Sequence, residues 1–228
     1  MLILSLDTTT KAASCAVARD GVVLNEERID PTRQLALQLP GALRDILDLS
    51  AIALEEVDAF AVATGPGSFT GLRISIATMQ GLAFGLGKPL IGISGLTALR
   101  AVASPAFLGS RIATWVDAWR GDVFAARYQH DAQIDPPTVE KPTALLARIT
   151  EPTLFIGDAI PVYADLIRRT LGDFALLAEP PAPALAATIA HIATRTAGTG
   201  AQRAPDDIRP LYIRRPDAEL ARDARPVR

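Results

Sequence analysis

A glycine-rich segment, residues 65–74, constrains the fold of this chain more than any other stretch of its sequence. It follows an apolar run at 57–63 that is typical of a buried strand, and it opens an apolar helix that we predict to end near Gly85. Three glycines, a proline, a serine and a threonine at this junction require a sharp turn and a close approach to another group. That group is either an anion at the helix N-terminus or another part of the protein, and the function depends on which.

The glycine spacing excludes the two common nucleotide-binding loops. Gly65, Gly67 and Gly71 follow a G-x-G-x-x-x-G pattern rather than G-x-G-x-x-G, and no Lys-Ser or Lys-Thr pair follows them as in a P-loop. Ser68 does not lie in a G-x-S-x-G elbow either. Anion binding at the helix N-terminus stays open, beside a tight strand-to-helix turn that is capped by Ser68 or Thr70.

The composition indicates a folded protein with a full core. The 228 residues are 49% hydrophobic and 21% charged, and their net charge of −2 argues against a large nonspecific nucleic-acid surface. Cys15 is the single cysteine, which excludes an internal disulfide, and its apolar strand favours a buried structural thiol. No signal-peptide pattern follows Met1 and no apolar run reaches the ~18 residues of a membrane span. We therefore expect a soluble cytoplasmic protein without a membrane partner.

The two halves of the sequence open in the same way. A strand at 2–6 ends at Asp7 before a hairpin, and a strand at 111–116 ends at Asp117 before another hairpin. We predict further strands at 12–18, 22–27, 57–64, 90–93, 123–128 and 153–156, and helices at 32–49, 70–85, 96–102, 161–171 and 185–196. Pro40 should kink or split the first of these helices. The proline-rich segments 135–137 and 180–183 read as loops.

This weak internal repeat predicts two similar α/β units, each a mixed sheet that begins in antiparallel hairpins and is flanked by helices. The boundary falls near residue 104, so the units are 1–104 and 105–228. The last helix has room to pack back on the first unit.

The hairpin after the first strand is a candidate phosphate or magnesium site. Backbone N–H groups and hydroxyls of Thr8, Thr9 and Thr10 could cradle a phosphate, while Asp7 and Asp117 could hold hydrated magnesium. The spacing alone favours a hairpin stabilised by its own side-chain hydrogen bonds.

No catalytic residue and no metal ligand emerges from the motifs. The two histidines, His130 and His191, are too far apart in the sequence for an H-x-x-x-H or H-E-x-x-H motif. No local pattern supports a Ser/His/Asp triad.

The helix after the glycine-rich segment carries a stripe of small residues, Ala77, Gly81 and Gly85, spaced four apart. A glycine inside a helix costs about 1 kcal/mol relative to alanine, so two of them indicate that another helix approaches closely. That helix lies either within the chain, at 35–47, or in a second chain. The pattern alone favours core packing.

These features resemble one family closely, the TsaB (YeaZ) family of bacterial tRNA threonylcarbamoyladenosine biosynthesis proteins. The most specific match is GPGSFTGLRI at 65–74, and the other matches are weak one by one but occur in the family's order over nearly the whole chain. They lie at residues 3–10, 81–83, 116–118, 120–126, 155–158 and 209–214.

The resemblance implies an RNase H-like fold of two actin-like domains, as in actin, sugar kinases and heat-shock ATPases, without independent catalysis. It implies a complex with a TsaD-like paralogue that binds metal and ATP and transfers the threonylcarbamoyl group to an adenosine beside the tRNA anticodon. A TsaE-like ATPase joins the cycle, tRNA is met through the complex, and the protein alone forms a homodimer. We expect no tightly bound cofactor, and ATP or ADP with magnesium at the subunit contact stays open.

In this family the first two helices form the subunit contact. Carried over to this sequence, the contact comprises Leu35, Leu39, Leu43, Thr70, Arg73, Ile74, Ala77, Gly81 and Gly85. The family often has a His-Ser pair before the Leu-Leu-Pro part of the first helix, whereas residues 33–40 here read RQLALQLP. Details of the contact near Gln34 therefore stay open.

The leading hypothesis is a scaffold or activator subunit for tRNA modification. The alternative from the residues is a small ATP- and magnesium-dependent kinase or ATPase that uses Asp7 and Asp117. A peptidase of the H-x-x-x-H type is disfavoured by the two distant histidines.

Overall fold

The fold consists of two five-stranded sheets and six helices within the part of the chain that the structure describes. The computed structural model describes residues 1–30, 34–103, 111–130, 132–197 and 204–214. The first half comprises β1 (Leu2–Asp7), β2 (Ser14–Arg19), β3 (Val22–Arg28), α1 (Leu35–Leu49), β4 (Ala59–Gly65), α2 (Phe69–Gly85), β5 (Leu90–Ser94) and α3 (Gly95–Ala103). The second half comprises β6 (Arg111–Asp117), β7 (Val123–Gln129), β8 (Ala132–Glu140), α4 (Pro142–Leu146), β9 (Thr153–Ile156), α5 (Ile160–Leu171), β10 (Ala175–Leu177) and α6 (Ala186–Thr196).

The two sheets share one topology. Their strand orders are β3-β2-β1-β4-β5 and β8-β7-β6-β9-β10. The central strand β1 lies between β2 and β4, and the central strand β6 lies between the corresponding strands β7 and β9. In both halves the opening strand pairs antiparallel with the next strand and parallel with the strand that follows the first helix or helical turn. The predicted fold class, two α/β units with mixed sheets, is confirmed. The predicted boundary at residue 104 lies outside the described residues.

Five layers stack around these sheets. Helices α1 and α2 cover the outer face of the first sheet, and α4 and α5 cover the outer face of the second sheet. Helices α3 and α6 lie between the sheets, where one apolar cluster joins both inner faces. Helix α3 belongs to the first half and packs on β6 and β7 of the second sheet as well as on β4 and β5 of its own, while α6 belongs to the second half but packs on β1, β2 and β3. The halves therefore exchange helices and share a single central core.

Hydroxyl groups on the first sheet hold the start of α6. Ser14 Oγ accepts the backbone N–H groups of Leu185 and Ala186, at 3.2 and 3.1 Å, and Ser5 Oγ donates to the carbonyl of Ala186 at 2.8 Å. These serines are fully buried and satisfy N–H groups that a helix start leaves without an intrahelical partner. Buried serines on β1 and β2 are thus explained by their hydrogen bonds to the backbone of α6, which packs on these strands.

Pro40 does not split the first helix, so that part of the prediction was wrong. Helix α1 is continuous across Pro40 and buries Leu39, Leu43 and Ile46 against the sheet. The proline removes one backbone hydrogen bond, whereas each buried leucine or isoleucine contributes about 1.5–3 kcal/mol. Burial of the apolar face on both sides of the proline therefore maintains the helix. The predicted start at residue 32 lies outside the described residues.

The proline-rich segment 135–137 was also mispredicted, because it lies within strand β8 rather than in a loop. Strand β8 is an edge strand that pairs only with β7 in the sheet, and its register shifts near Arg127. An edge strand tolerates proline because the missing N–H faces away from the ladder. The segment 180–183 contains no strand or helix, which confirms the second predicted loop.

No helix among the described residues is long and apolar enough to cross a lipid bilayer.

Candidate functional site

The glycine-rich segment packs against the threonine turn of the first hairpin. A Cβ on Gly67 would lie 2.7 Å from the carbonyl oxygen of Thr9, and a Cβ on Gly95 would lie 2.7 Å from Thr9 Oγ1. Thr8 Oγ1 lies 2.9 Å from Ser75 Oγ in α2. The two motifs that the sequence analysis treated separately form one packed unit, and the group that the glycines approach closely is protein backbone.

Helix α2 begins as the sequence predicts. Ser68 is its N-cap, and Ser68 Oγ accepts the backbone N–H of Gly71 at 3.3 Å. The predicted cap is confirmed for Ser68, while Thr70 is the second residue of the helix and is exposed.

The three threonines of the hairpin are buried and use their hydroxyls within the protein. Thr9 Oγ1 donates to Asp7 Oδ1 at 2.6 Å, and the Thr9 N–H donates to the same oxygen at 2.9 Å. Thr10 Oγ1 accepts the N–H of Ala12 at 3.2 Å, and Thr8 Oγ1 contacts α2 as described above. The hydroxyls that could cradle a phosphate are therefore engaged in stabilising the turn.

Asp7 is fully buried at the end of β1. Its Oδ2 has no hydrogen-bond partner among the described residues. The pKa of Asp7 is raised to about 6, mainly because the carboxyl group is buried. The two hydrogen bonds from Thr9 lower this pKa, and the nearby carboxylates of Asp158 and Glu26 raise it. The Asp7 carboxyl group is therefore easier to protonate than an exposed aspartate.

Lys11 and Asp158 join the two hairpin turns across the junction between the halves. Asp158 Oδ1 accepts the N–H of Asp117 at 2.9 Å, and Asp158 Oδ2 accepts the N–H of Lys11 at 3.0 Å. Lys11 Nζ lies 3.0 Å from Asp117 Oδ2, and Asp117 Oδ1 accepts the N–H of Trp119 at 2.8 Å. Burial raises the pKa of Asp158. An ammonium group thus lies beside the aspartate that the sequence analysis proposed for magnesium.

Asp7 and Asp117 were predicted as site residues from the sequence, whereas Lys11 and Asp158 were not. Asp158 lies just after the end of β9, and β9 runs parallel beside β6, which ends at Asp117. The carboxyl ends of parallel neighbours meet at one edge of a sheet, so this position could have indicated Asp158. Lys11 carried no signal of its own, because a lysine in an exposed turn is usually solvated.

The stripe of small residues faces solvent, so the interpretation as core packing was wrong. A Cβ added at Gly81 or Gly85 would meet nothing within 4 Å, and Ala77 is exposed. Helix α2 packs on the sheet through its opposite side, which includes Ile76 and Met79. The glycines therefore leave open space on the surface of the single chain.

A large apolar groove of about 610 Å³ runs beside this stripe, between α1 and α2. Its lining includes Leu43 and Leu47 from α1 and Ala77, Gly81 and Leu82 from α2. The two most exposed large apolar side chains on these helices are Phe84 at 81% and Leu37 at 78%. An apolar, partly open surface of this kind is typical of a protein contact.

The predicted contact residues occupy three different environments. Leu39 and Leu43 are buried and hold α1 on the sheet, and Leu43 also lies at the base of the apolar groove. Leu35, Thr70 and Ile74 line a second cavity, of about 460 Å³, between the starts of α1 and α2 and the threonine turn. The small stripe faces solvent, and Arg73 lies on the other flank of α2.

A C-terminal segment, residues 204–214, runs along that other flank; we call it the strap. Gln80 Nε2 donates to the carbonyls of Pro205 and Ile208, at 2.7 and 3.1 Å, and the N–H of Leu211 donates to the carbonyl of Thr64 at 2.7 Å. Further along, the strap contacts Arg73 through Tyr212 and the β6–β7 hairpin through Arg214. Residues 209–214 match a family motif in the sequence, which did not predict these contacts.

Comparisons with known proteins show which proteins the chain is similar to. Residues 29–221 match the family model described as TsaD, tRNA N6-adenosine threonylcarbamoyltransferase. The chain is 40% identical to the tRNA threonylcarbamoyladenosine biosynthesis protein TsaB of Escherichia coli (strain K12), over 58% of this chain and 56% of that protein. An uncharacterised protein of Mycobacterium bovis is 32% identical over 95% of this chain and 93% of its own length. The solved structure of YeaZ from Pseudomonas aeruginosa is similar with a TM-score of 0.74 and 29% identity, over 92% of this chain and 99% of that one.

The matches to the TsaB proteins of E. coli and Haemophilus influenzae cover 56% and 52% of those proteins. The chain therefore matches about half of the length of these two curated relatives.

We expect opposite effects from adding a methyl group at two glycines of this region. Gly67→Ala should lower the free energy of unfolding by about 1–3 kcal/mol, because its Cβ would collide with the backbone of Thr9. Gly81→Ala should raise it by up to about 1 kcal/mol, because the site is open and alanine favours the helix. Equilibrium urea denaturation measures both, and equal stability of Gly67→Ala and the wild type would contradict the packing described here.

The raised pKa of Asp7 predicts that stability falls with rising pH in one window. Below pH ~4 Asp7 is protonated in both states; between its ordinary pKa of 3.8 and about 6 the folded state retains a proton that the unfolded chain has lost. The free energy of unfolding should therefore decrease by roughly 3 kcal/mol across that window and stay low above it. Denaturation at several pH values should show a smaller decrease for Asp7→Asn. The exposed Asp45→Asn is the control, and parallel pH profiles for the wild type and Asp7→Asn would contradict the assignment.

Proposed function

Because the chain belongs to the TsaB (YeaZ) family, we propose that it acts in the formation of threonylcarbamoyladenosine on tRNA, as a non-catalytic scaffold or activator subunit. One observation carries the scaffold role: a solvent-facing stripe of small residues, Ala77, Gly81 and Gly85, borders an apolar groove on the surface of the single chain. The E. coli relative is named as a protein of this biosynthesis. The proposed partner is a TsaD-like paralogue that carries the catalytic site.

The shape of this surface fits a helix of the partner. Because Gly81 and Gly85 have no side chain, the axis of a second helix can approach α2 closely. The groove beside them can receive bulky apolar side chains. Exposed Leu37 of α1 and Phe84 of α2 add apolar area on the same two helices. In this proposal the same surface forms a homodimer when the chain is alone. Buried Leu39 and Leu43 act from beneath by holding α1 in place.

The junction between the halves supports a non-catalytic role. Lys11 Nζ lies against Asp117, Asp158 accepts two backbone N–H groups, and the hydroxyl of Thr9 is bonded to Asp7. Each of these contacts satisfies a group that a kinase or ATPase of this fold would direct at magnesium or phosphate. These contacts do not favour the alternative of a small ATP-dependent enzyme.

We propose that the chain alone holds no nucleotide tightly, and that ATP or ADP with magnesium, when present, lies at the subunit contact. The cavity of about 460 Å³ opens there, and its lining includes Thr70 and Gly71 at the start of α2. A helix start suits a phosphate group, and the volume is within the range of small-molecule pockets. A TsaE-like ATPase and tRNA then meet the chain through the assembled complex, in the cytoplasm.

Reconstitution with and without this chain tests the function directly. We expect a TsaD-like paralogue, a TsaE-like ATPase, the enzyme that supplies the threonylcarbamoyl group and unmodified tRNA to form threonylcarbamoyladenosine at least tenfold more slowly when the chain is omitted. Mass spectrometry of the digested tRNA provides the measurement. Equal rates with and without the chain would rule out the scaffold role.

A bulky residue on the small stripe should weaken association without unfolding the chain. Gly81→Leu places an isobutyl group where the single chain has open space, so the free energy of unfolding should change by less than about 1 kcal/mol. The same side chain blocks the close approach of a partner helix, and we expect the dissociation constant to rise at least tenfold.

The matched control is Thr170→Leu, at an exposed position of α5 on the far side of the second sheet. Size-exclusion chromatography with light scattering measures the homodimer and the complex with the paralogue. Undisturbed assembly of Gly81→Leu would show that the stripe is not the contact.

A further inference from the structure

We infer that this chain itself contacts RNA, through an exposed surface of aromatic and arginine side chains beside the hairpin turns. The inference rests on the proposed function, which supplies tRNA as the substrate. We call the surface the aromatic platform; it consists of Phe69, Arg73, Trp119, Arg120 and Tyr212.

The first part of the aromatic platform joins the start of α2 to the strap. Phe69 and Tyr212 are 42% and 43% exposed. Their ring centroids lie 5.5 Å apart, and the ring planes meet at an angle of 32°. The guanidinium carbon of Arg73 lies 3.8 Å from the centroid of Phe69, and Arg73 Nε donates to Tyr212 Oη at 3.1 Å. These contacts fix three flat groups in place at the surface, so little side-chain entropy is left to lose on binding a planar ligand.

The second part is the tip of the β6–β7 hairpin. Trp119 is 49% exposed there, and Trp119, Arg120 and Gly121 all have positive φ, at 55°, 57° and 75°. The carboxylate of Asp117 accepts the N–H of Trp119, and Lys141 Nζ donates to the carbonyl of Arg120 at 3.0 Å. Two consecutive non-glycine residues with left-handed backbone are costly, and such strain is typical of positions that serve a function. Here it exposes an indole ring.

Arg214 connects the two parts. Its guanidinium donates to the carbonyl of Ala118 at 2.8 Å and to the carboxylate of Asp122, while Tyr212 lies two residues earlier on the same strap. Two extended residues span at most about 7 Å, so the strap keeps the backbone of Tyr212 near the residue that binds the hairpin.

The charge of this region favours a nucleic acid. Among the described residues around the hairpin tip, four basic side chains, those of Lys11, Arg120, Lys141 and Arg214, lie near three carboxylates, those of Asp117, Asp122 and Asp158. Arg73 adds another positive charge beside Phe69. The whole chain has a net charge of −2, so this excess of positive charge is local. Local positive charge attracts phosphates, and aromatic or guanidinium planes stack with unpaired bases.

The chemistry therefore fits the single-stranded loop of an RNA stem-loop rather than a paired stem, because paired bases do not expose their faces. A protein partner is the competing occupant. It is less favoured because the apolar groove suited to a helix lies on the other flank of α2.

The test measures RNA binding and partner binding separately on the same variants. The probes are a fluorescently labelled RNA hairpin with the anticodon loop and a fully paired RNA duplex, each titrated into the complex of the full chain with the TsaD-like paralogue. We expect Trp119→Ala and Tyr212→Ala each to weaken hairpin binding by about fivefold or more, with duplex binding unchanged. Trp119→Phe should retain most of the affinity, because phenylalanine keeps a ring that can stack.

Two further variants control for charge and for loss of exposed aromatic area. Arg120→Gln should reduce the slope of log affinity against log salt concentration by about one. Phe174→Ala removes an aromatic residue that is 41% exposed on the second half, and hairpin binding should not change. Thermal unfolding of every variant confirms that the chain is folded.

Unchanged hairpin affinity in folded Trp119→Ala and Tyr212→Ala would overturn the inference. Loss of paralogue binding with RNA affinity intact would also overturn it, because it would identify the surface as a protein contact. These results differ from failure of the proposed function, in which threonylcarbamoyladenosine forms equally fast without the chain.

Discussion

The exchange of α3 and α6 between the halves is the constraint on which the rest of the structure depends. Helix α6 buries its apolar face on the sheet of the other half, and α3 packs on both sheets, so neither sheet completes its inner core with the helices of its own half alone. The two opening strands therefore end side by side, and their hairpin turns meet. The contacts of Lys11 and Asp158 across that junction, and the course of the strap from the first sheet to Asp122, follow from this placement.

Helix α2 is the element that most other features share. Its buried side packs on the first sheet, and the close contact of Gly67 with Thr9 fixes the position of its start. One flank forms the apolar groove with α1, the other holds the strap, and the outward side has no large residue at Gly81 or Gly85. The groove and the aromatic platform therefore face different neighbours while depending on one rigid helix.

Strand and helix positions could be predicted from the sequence where apolar periodicity and turn residues agree, as they do at the Ser68 cap and at both opening hairpins. The prediction failed where tertiary packing overrides a local rule, because burial of the flanking leucines maintains α1 across Pro40 and an edge position admits the prolines of β8. In the site, spacing placed the small stripe on one side of α2 but could not show which way that side faces. Lys11 was missed because its role depends on a residue more than one hundred positions away.

The helix exchange also has a consequence for synthesis on the ribosome. When β5 has emerged, the first sheet has its outer helices, but α6, which covers its inner face, and the strap, which covers one flank of α2, are still to be made. The inner-face residue Ile3 of β1 therefore lacks the cover of α6 until α6 has left the exit tunnel. A nascent chain that pauses before α6 presents part of this apolar sheet to chaperones.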